Sequence, residues 1–257
     1  LIIRVSVSRE HARDIAKEIT SSENNPIVVV AGGDGTVNDI VNGANLNNII
    51  LGIIPAGSVN VIAGELGIAQ NIKKACEVIA NKKIDRIDVS LANDIRFIFC
   101  AGLGFDAYII KNVSLKSKLL FGKSVYGWEF IRRLKDFVPF DAQIMVDGKK
   151  VYEGRLFECI AGKSRCYAGK FILFPDASMK NGKIELVALT HQSKASFLSG
   201  CFKFFTGRND PDFRYWRGDR IEVVTKNKIH YHVDGDNGCL SPVTFRLESP
   251  KLNIIVP

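Results

Sequence analysis

The stretch from Ile27 to Asn42 constrains this chain more than any other. Ile27-Val28-Val29-Val30 is a β-branched run, the pattern of a short buried strand. Gly32, Gly33 and Gly35 fill three of the next positions, with Asp34 among them. Thr36, Val37, Ile40 and Val41 then fall at helical spacing. Strand, glycine turn and helix in that order aim backbone N–H groups and a helix N-terminus at one point, which suits a phosphate. The glycines allow positive φ and a close approach of a ligand to the backbone. A carboxylate inside such a turn repels a phosphate unless a cation lies between them, so Asp34 points to Mg²⁺ carried with a nucleotide. The competing reading is a tight strand-to-helix turn without ligand, for which the Asp is unnecessary.

The surrounding pattern repeats this unit. Leu1–Val7 reads as a strand, and Ser8 as the cap of a helix whose Ala12, Ile15, Ala16 and Ile19 share a face. The chain opens mid-pattern without Met, so a preceding segment is expected. Ile49–Ile54 is a second buried strand, followed by a second glycine turn, Pro55-Ala56-Gly57-Ser58-Val59-Asn60. Short helices follow at Val61–Leu66 and around Ile72, Ala75, Cys76 and Ile79. Alternating strands and helices over the first 86 residues predict an α/β domain with a doubly wound parallel sheet. Ligands of such sheets bind beyond the carboxyl ends of the strands, where both glycine turns lie.

From Lys82 the texture changes to alternation and turn pairs. Hairpins are expected around Asn93-Asp94 and Asp147-Gly148. Further strands are expected at Arg155–Ala161, Lys183–Leu189, Arg220–Thr225, Lys228–Val233, Val243–Leu247 and Leu252–Val256. Residues 87–257 therefore read as a β-rich, antiparallel, sandwich-like second domain. Two aromatic and basic patches interrupt it, Lys111–Val138 and Ser196–Arg208. Each reads first as a core-packed helix with a solvated cationic face, and second as a helix lying on an anionic bilayer.

The net charge of +8 favours an anionic partner: nucleotide, nucleic acid or acidic membrane surface. No nucleic-acid reader motif is present, so nucleic acid is not expected. The six cysteines have no metal spacing and read as reduced, in a cytoplasmic protein. No P-loop, protein-kinase or serine-elbow signature occurs. Three later stretches could carry chemistry. Gly104-Phe105-Asp106-Ala107 places Asp106 either in a cleft or as a helix cap. Tyr231-His232-Val233-Asp234-Gly235-Asp236 runs a strand into a turn with two carboxylates, of which Asp236 or Asp234 could accept a proton from an alcohol. Asp-Gly turn chemistry explains the same residues equally well. His230 and His232 share a strand face, as exposed histidines or, less favourably, a metal pair.

Taken in order, Gly32-Gly33-Asp34-Gly35-Thr36 with Val37-Asn38-Asp39, Gly57-Ser58-Val59-Asn60, Gly104-Phe105-Asp106-Ala107 and Val233-Asp234-Gly235-Asp236 resemble the diacylglycerol kinase catalytic-domain family in its bacterial lipid-kinase branch. The resemblance covers nearly the whole chain. It implies ATP- and Mg²⁺-dependent transfer of a phosphoryl group to a lipid alcohol, and the basic patches would hold such an enzyme on an anionic membrane surface from the cytoplasmic side. It assigns Gly32, Gly33, Asp34, Gly35, Thr36 and Asn38, with Gly57, Ser58, Asn60 and Ser6, to the nucleotide. Asp236 stands where the family has a Glu, one methylene longer, as catalytic base, and Asp234 would orient it or a water. Ser178, Asn181 and Lys183 match a structural Mg²⁺ site of some relatives, with Asn181 replacing an Asp. The alternatives are a non-catalytic nucleotide- or lipid-binding regulator on the same fold, and a kinase for a soluble acceptor such as NAD.

Overall fold

The computed structural model describes residues 1–112, 130–167 and 171–257. The β-branched runs form a parallel pair: β1 (Ile27–Gly32) and β2 (Ile50–Pro55) match residue for residue from Ile27 with Ile50 to Gly32 with Pro55. Helices α1 (Arg9–Ser22), α2 (Asp34–Gly43), α3 (Val61–Glu65) and α4 (Ile72–Asn81) pack on this sheet. They share a core that includes Ala16, Val41, Leu51, Ile62 and Ala75. α1 starts where expected because Ser8 Oγ accepts the N–H of His11 at 3.1 Å, and α4 because Asn71 accepts that of Lys74 at 3.1 Å.

The second part begins with β4 (Ser90–Ala92), β5 (Ile95–Phe97), β6 (Cys100–Gly104) and α5 (Phe105–Asn112). β7 (Phe140–Val146), β8 (Lys149–Leu156) and β9 (Glu158–Gly162) follow, with the two-residue ladder of β10 (Cys166–Tyr167) and β11 (Phe171–Ile172). β12 (Ile184–Leu189), α6 (Lys194–Phe205), β13 (Phe213–Gly218) and β14 (Arg220–Thr225) come next, then β15 (His230–Val233), β16 (Asp236–Leu240) and β17 (Val243–Leu247). Two six-stranded antiparallel sheets result, in the orders β13-β12-β9-β6-β15-β16 and β5-β4-β17-β14-β7-β8. Their inner faces, with Leu103, Ala161 and Leu186 from one and Ile144, Ile221 and Phe245 from the other, share one core. Phe105, Phe137, Phe157 and Phe197 extend that core beneath α5 and α6.

Three expectations need correction. Leu1–Val7 is not a strand but an exposed, unpaired segment, so Ser6 is not positioned by a sheet. Alternating side chains make a strand only where a sheet edge receives them, and no pairing reaches these residues. Second, the chain does not pass from the first sheet to the second only once. Its last strand, β18 (Leu252–Ile255), returns to the first sheet, parallel to β2 and antiparallel to β3 (Ile84–Ile87), in the order β1-β2-β18-β3. A buried apolar run does not encode which sheet will bury it. Third, Arg155 and Leu156 belong to β8, not to the strand that follows, and β13 and β16 were not anticipated. The patch at Lys111–Val138 lies largely outside the described residues, whereas Ser196–Arg208 contains most of α6.

Candidate nucleotide and acceptor site

The parallel register of β1 and β2 brings the two glycine turns side by side. The N–H of Ala56 donates to the carbonyl of Gly32 at 3.0 Å, so the ladder continues one step past the strands. Beyond it the backbones nearly touch: a β-carbon on Gly57 would lie 2.5 Å from the Cα of Gly33. Only two glycines allow that approach. Asn60 then closes the second turn on itself, accepting the Gly57 N–H at 2.8 Å and donating to the Gly57 carbonyl at 2.8 Å.

Asp34 joins the turns rather than facing a cation. Its Oδ2 accepts the N–H of Val61 at 3.0 Å and its Oδ1 that of Ile62 at 3.0 Å, which caps α3 from the neighbouring turn. The negative charge is met by two amides, so the argument that required Mg²⁺ beside Asp34 loses its premise. The N-terminus of α2 differs. Gly33 is its N-cap and supplies no side-chain hydrogen bond, so the first amides have no partner within the helix. A β-carbon on Gly35 would meet no atom within 4 Å, and Ser58 is exposed on the second turn. Thr36 packs over Gly32, where a β-carbon would lie 2.8 Å from its hydroxyl. Asn38, expected to face the nucleotide, is buried at 2% exposure and accepts a hydrogen bond from Asn42 at 2.9 Å; it braces α2. These features fit the phosphates of a nucleotide at the start of α2, and leave Asn38 and Asp34 as supports.

The late carboxylates separate into two roles. Asp234 occupies the left-handed first position of the β15–β16 turn, at φ 48°. Its carboxylate accepts three backbone N–H groups, from Ile98 at 2.9 Å, Phe99 at 3.0 Å and Cys100 at 2.8 Å. Burial pushes it up to about 6, while those amides pull the other way. It anchors the β5–β6 connection and has no hydrogen bond to Asp236. Asp236, two residues on, is partly exposed and ion-paired with Arg9. Arg9 also donates to Asp39 on α2, at 2.9 Å from Nη2, and Arg13 reaches the same carboxylate at 3.0 Å. Arg9 thus ties the late acid to the helix that begins at the first glycine turn. Sequence reading missed it, because nothing local links positions 9, 39 and 236.

Asp106 and His232 also find different places from those expected. Asp106 Oδ2 lies 2.6 Å from His232 Nε2 and accepts the Tyr167 hydroxyl at 3.0 Å. His232 is 2% exposed, so it is not an exposed strand histidine, and with Nε2 on Asp106 and Nδ1 accepting the Gly235 N–H at 3.3 Å neither ring nitrogen is left for a metal shared with His230. The pair sits on Gly102, whose missing β-carbon would collide with both side chains. Burial opposes the imidazolium, but the field and hydrogen bond of Asp106 prevail and raise the His232 pKa. Glu158, buried beside them, accepts the Asp106 N–H at 2.6 Å, and its own pKa is driven up by burial and by the neighbouring Asp106.

The residues matched to a structural Mg²⁺ are occupied by protein. Asn181 Oδ1 and the Lys183 carbonyl accept hydrogen bonds from the buried ammonium of Lys163, at 3.0 and 2.6 Å. Ser178 makes no contact with that ammonium; its hydroxyl accepts the N–H of Lys180 at 3.2 Å. The residues present do not fit the metal.

Comparison with known proteins follows this architecture. The description "Diacylglycerol kinase catalytic domain" matches residues 1–92, and "YegS C-terminal NAD kinase beta sandwich-like domain" matches residues 100–256. Diacylglycerol kinase of Bacillus subtilis (strain 168) is 30% identical over 251 residues, 96% of this chain and 82% of the relative. Diacylglycerol kinase of Staphylococcus aureus (strain bovine RF122 / ET3-1) is 28% identical over 91% of this chain and 76% of its own. A crystal structure of a diacylglycerol kinase from Bacillus anthracis superposes with a TM-score of 0.79 at 22% identity, covering 98% of this chain and 84% of that one. An NAD kinase from Archaeoglobus fulgidus in complex with ATP shares the fold more distantly, at a TM-score of 0.53 and 12% identity over 97% of this chain and 90% of that one. With glycine turns, acid loop and sandwich all falling inside these matches, the chain belongs to the diacylglycerol kinase catalytic-domain family.

Proposed function

We propose that this protein is an ATP-dependent lipid kinase that transfers the γ-phosphoryl group to the hydroxyl of a lipid alcohol, such as diacylglycerol or a sphingoid base. One observation carries the reading: the open amides at the start of α2 and the partly exposed Asp236 are joined by a single arginine, Arg9, through Asp39. The phosphates lie against Gly33, Asp34 and Gly35 amides, with Gly57 and Ser58 closing the other side. Mg²⁺ carried with the nucleotide would supply neutralisation of charge on the phosphates. The acceptor hydroxyl attacks the γ-phosphorus, the bond to the ADP oxygen breaks, and the hydroxyl proton passes to Asp236. The proton leaves late in a loose transition state, so a weak base suffices. Asp234 fixes the backbone on which Asp236 stands.

The acceptor arrives from an anionic membrane surface. Leu198, Phe202 and Phe205 are exposed along α6, at 43, 64 and 52%, and Phe171 packs edge-on against Phe205. Lys194, Lys203 and Arg208 flank them. Apolar side chains bordered by cations suit a bilayer carrying negative headgroups. Among the described residues no helix is long and apolar enough to cross a membrane, so contact is peripheral in this proposal.

The test is a labelled-ATP assay with Mg²⁺ against a panel of lipid alcohols in anionic vesicles, with NAD in a lipid-free arm. Transfer to a lipid is the expected outcome. ATP binding without transfer to any acceptor would leave a non-catalytic binding protein, and transfer to NAD alone would make the acceptor soluble.

A further inference from the structure

We infer that Lys163 is the resident cation of the junction between the two domains, and that its ammonium does there what a divalent metal would otherwise do. The side chain is completely buried, and its Nζ meets three oxygens from two segments. Asp88 Oδ2 lies at 2.9 Å, Asn181 Oδ1 at 3.0 Å and the Lys183 carbonyl at 2.6 Å. A protonated lysine has three N–H bonds and no acceptor, so this set satisfies it completely.

The segments it gathers are the ones that define the junction. Asp88 sits between β3 of the first sheet and β4 of the second. Lys163 follows β9, and its N–H donates to the Phe99 carbonyl at 3.0 Å, just before β6. Asn181 and Lys183 lie in the loop leading to β12, whose Gly182 N–H also donates to Asp88 at 2.8 Å. Lys251, immediately before the returning strand β18, binds the other oxygen of Asp88 at 2.6 Å. One carboxylate therefore faces two ammonium groups and an amide, while Asn181 contributes no charge.

Charge and space argue against a metal in the same place. A divalent ion there would displace the Lys163 ammonium or sit against it, with a second ammonium close by and a single carboxylate to hold it. Hard cations of this class are held by several oxygens, including more than one carboxylate or phosphate when affinity is high. The tethered ammonium supplies one positive charge and three directed hydrogen bonds at fixed stoichiometry. The cohesion of the junction is thereby independent of the free metal concentration.

Thermal unfolding of the nucleotide-free protein, with added MgCl₂, CaCl₂ or EDTA, tests this together with native mass spectrometry. The wild type is expected to show the same midpoint in all three and to carry no bound divalent ion. K163M is expected to unfold roughly 6 °C or more below wild type, because it leaves the buried Asp88 short of a partner. The double variant K163A/N181D removes the ammonium and supplies a second carboxylate. Its midpoint is expected to rise with MgCl₂ or CaCl₂ and fall with EDTA. A wild-type protein that loses stability in EDTA, or that holds an ion which N181A releases, overturns the inference whether or not the double variant folds. A folded double variant indifferent to both metals overturns it as well. Neither nucleotide nor lipid enters the experiment, so its outcome is separate from that of the kinase assay.

Discussion

The Cα of Gly33 and the position a β-carbon would take on Gly57 lie only 2.5 Å apart. The two turns of the candidate site are therefore in backbone contact, and no side chain at Gly57 is compatible with it. G57A is expected to separate the turns, raising KM for ATP at least about tenfold, the size of effect that accompanies displacement of a binding backbone. G35A is the control for space. Its β-carbon would meet nothing within 4 Å, and alanine favours a helix over glycine by up to about 1 kcal/mol, so stability should hold or rise. If phosphates approach Gly35, the same variant raises KM for ATP without loss of stability. Equal KM values for G35A and wild type would remove Gly35 from the nucleotide site.

Asp34 makes the second link between the turns, through the amides of Val61 and Ile62. D34A removes both acceptors and leaves the start of α3 uncapped. Hydrogen bonds to a charged group contribute about 1.5–3 kcal/mol, so a destabilisation of about 2–3 kcal/mol is expected, measurable by denaturant titration. The Mg²⁺ concentration for half-maximal activity should not move, because Asp34 is a staple here. A large shift in that requirement with unchanged stability would restore the metal-ligand role.

Asp236 and Arg9 give the catalytic prediction. D236N is expected to lower kcat by about 10²–10⁴, the usual contribution of a general base, with little change in ATP binding by calorimetry. R9M frees Asp236 and removes one of two arginines on Asp39. It should lower kcat less than D236N, because the carboxylate remains but is no longer held against α2. Wild-type turnover by D236N would end the assignment of Asp236 as base.

The buried Asp106–His232 pair predicts a pH dependence of stability. The His232 pKa is raised relative to 6.5, so its contribution is complete below about 6.5 and is lost as pH climbs through the folded value. The Asp106 pKa is lowered relative to 3.8, so its contribution is present above about 3.8 and is lost as pH falls through the folded value. Together they place the pair's greatest contribution between roughly pH 4 and 6.5. H232N should unfold at a lower temperature in that window and differ less from wild type at alkaline pH. An unfolding midpoint in H232N offset equally at all pH values would refute the ion pair.

The exposed face of α6 predicts membrane dependence. F202S/F205S should reduce sedimentation with anionic vesicles severalfold, and salt should weaken wild-type binding, because surface electrostatic attraction is screened over about 8–10 Å at physiological ionic strength. Binding indifferent to both the substitutions and salt would place the docking face elsewhere.

What the sequence by itself determined is local. The run Ile27–Val30, three glycines and the spacing of Val37, Ile40 and Val41 specify strand, turn and helix through interactions among near neighbours, and the chain folds that way. Ser8 announces its helix for the same reason, since a cap reaches only three residues ahead. The adjacency of the glycine turns followed from the α/β pattern, because parallel strands with crossover helices place such turns at one edge. The tertiary structure alone decided the long-range charges and the last strand. Arg9 meets an acid 227 positions away, His232 meets Asp106, and Lys163 enters the site that Asn181 and Lys183 present. β18 crosses back to the first sheet although its sequence suits either. The physical reason is common to all of these. An alternating apolar strand or a single charged side chain carries no address, and its partner is fixed only when packing closes off water and leaves one arrangement in which every buried charge is met.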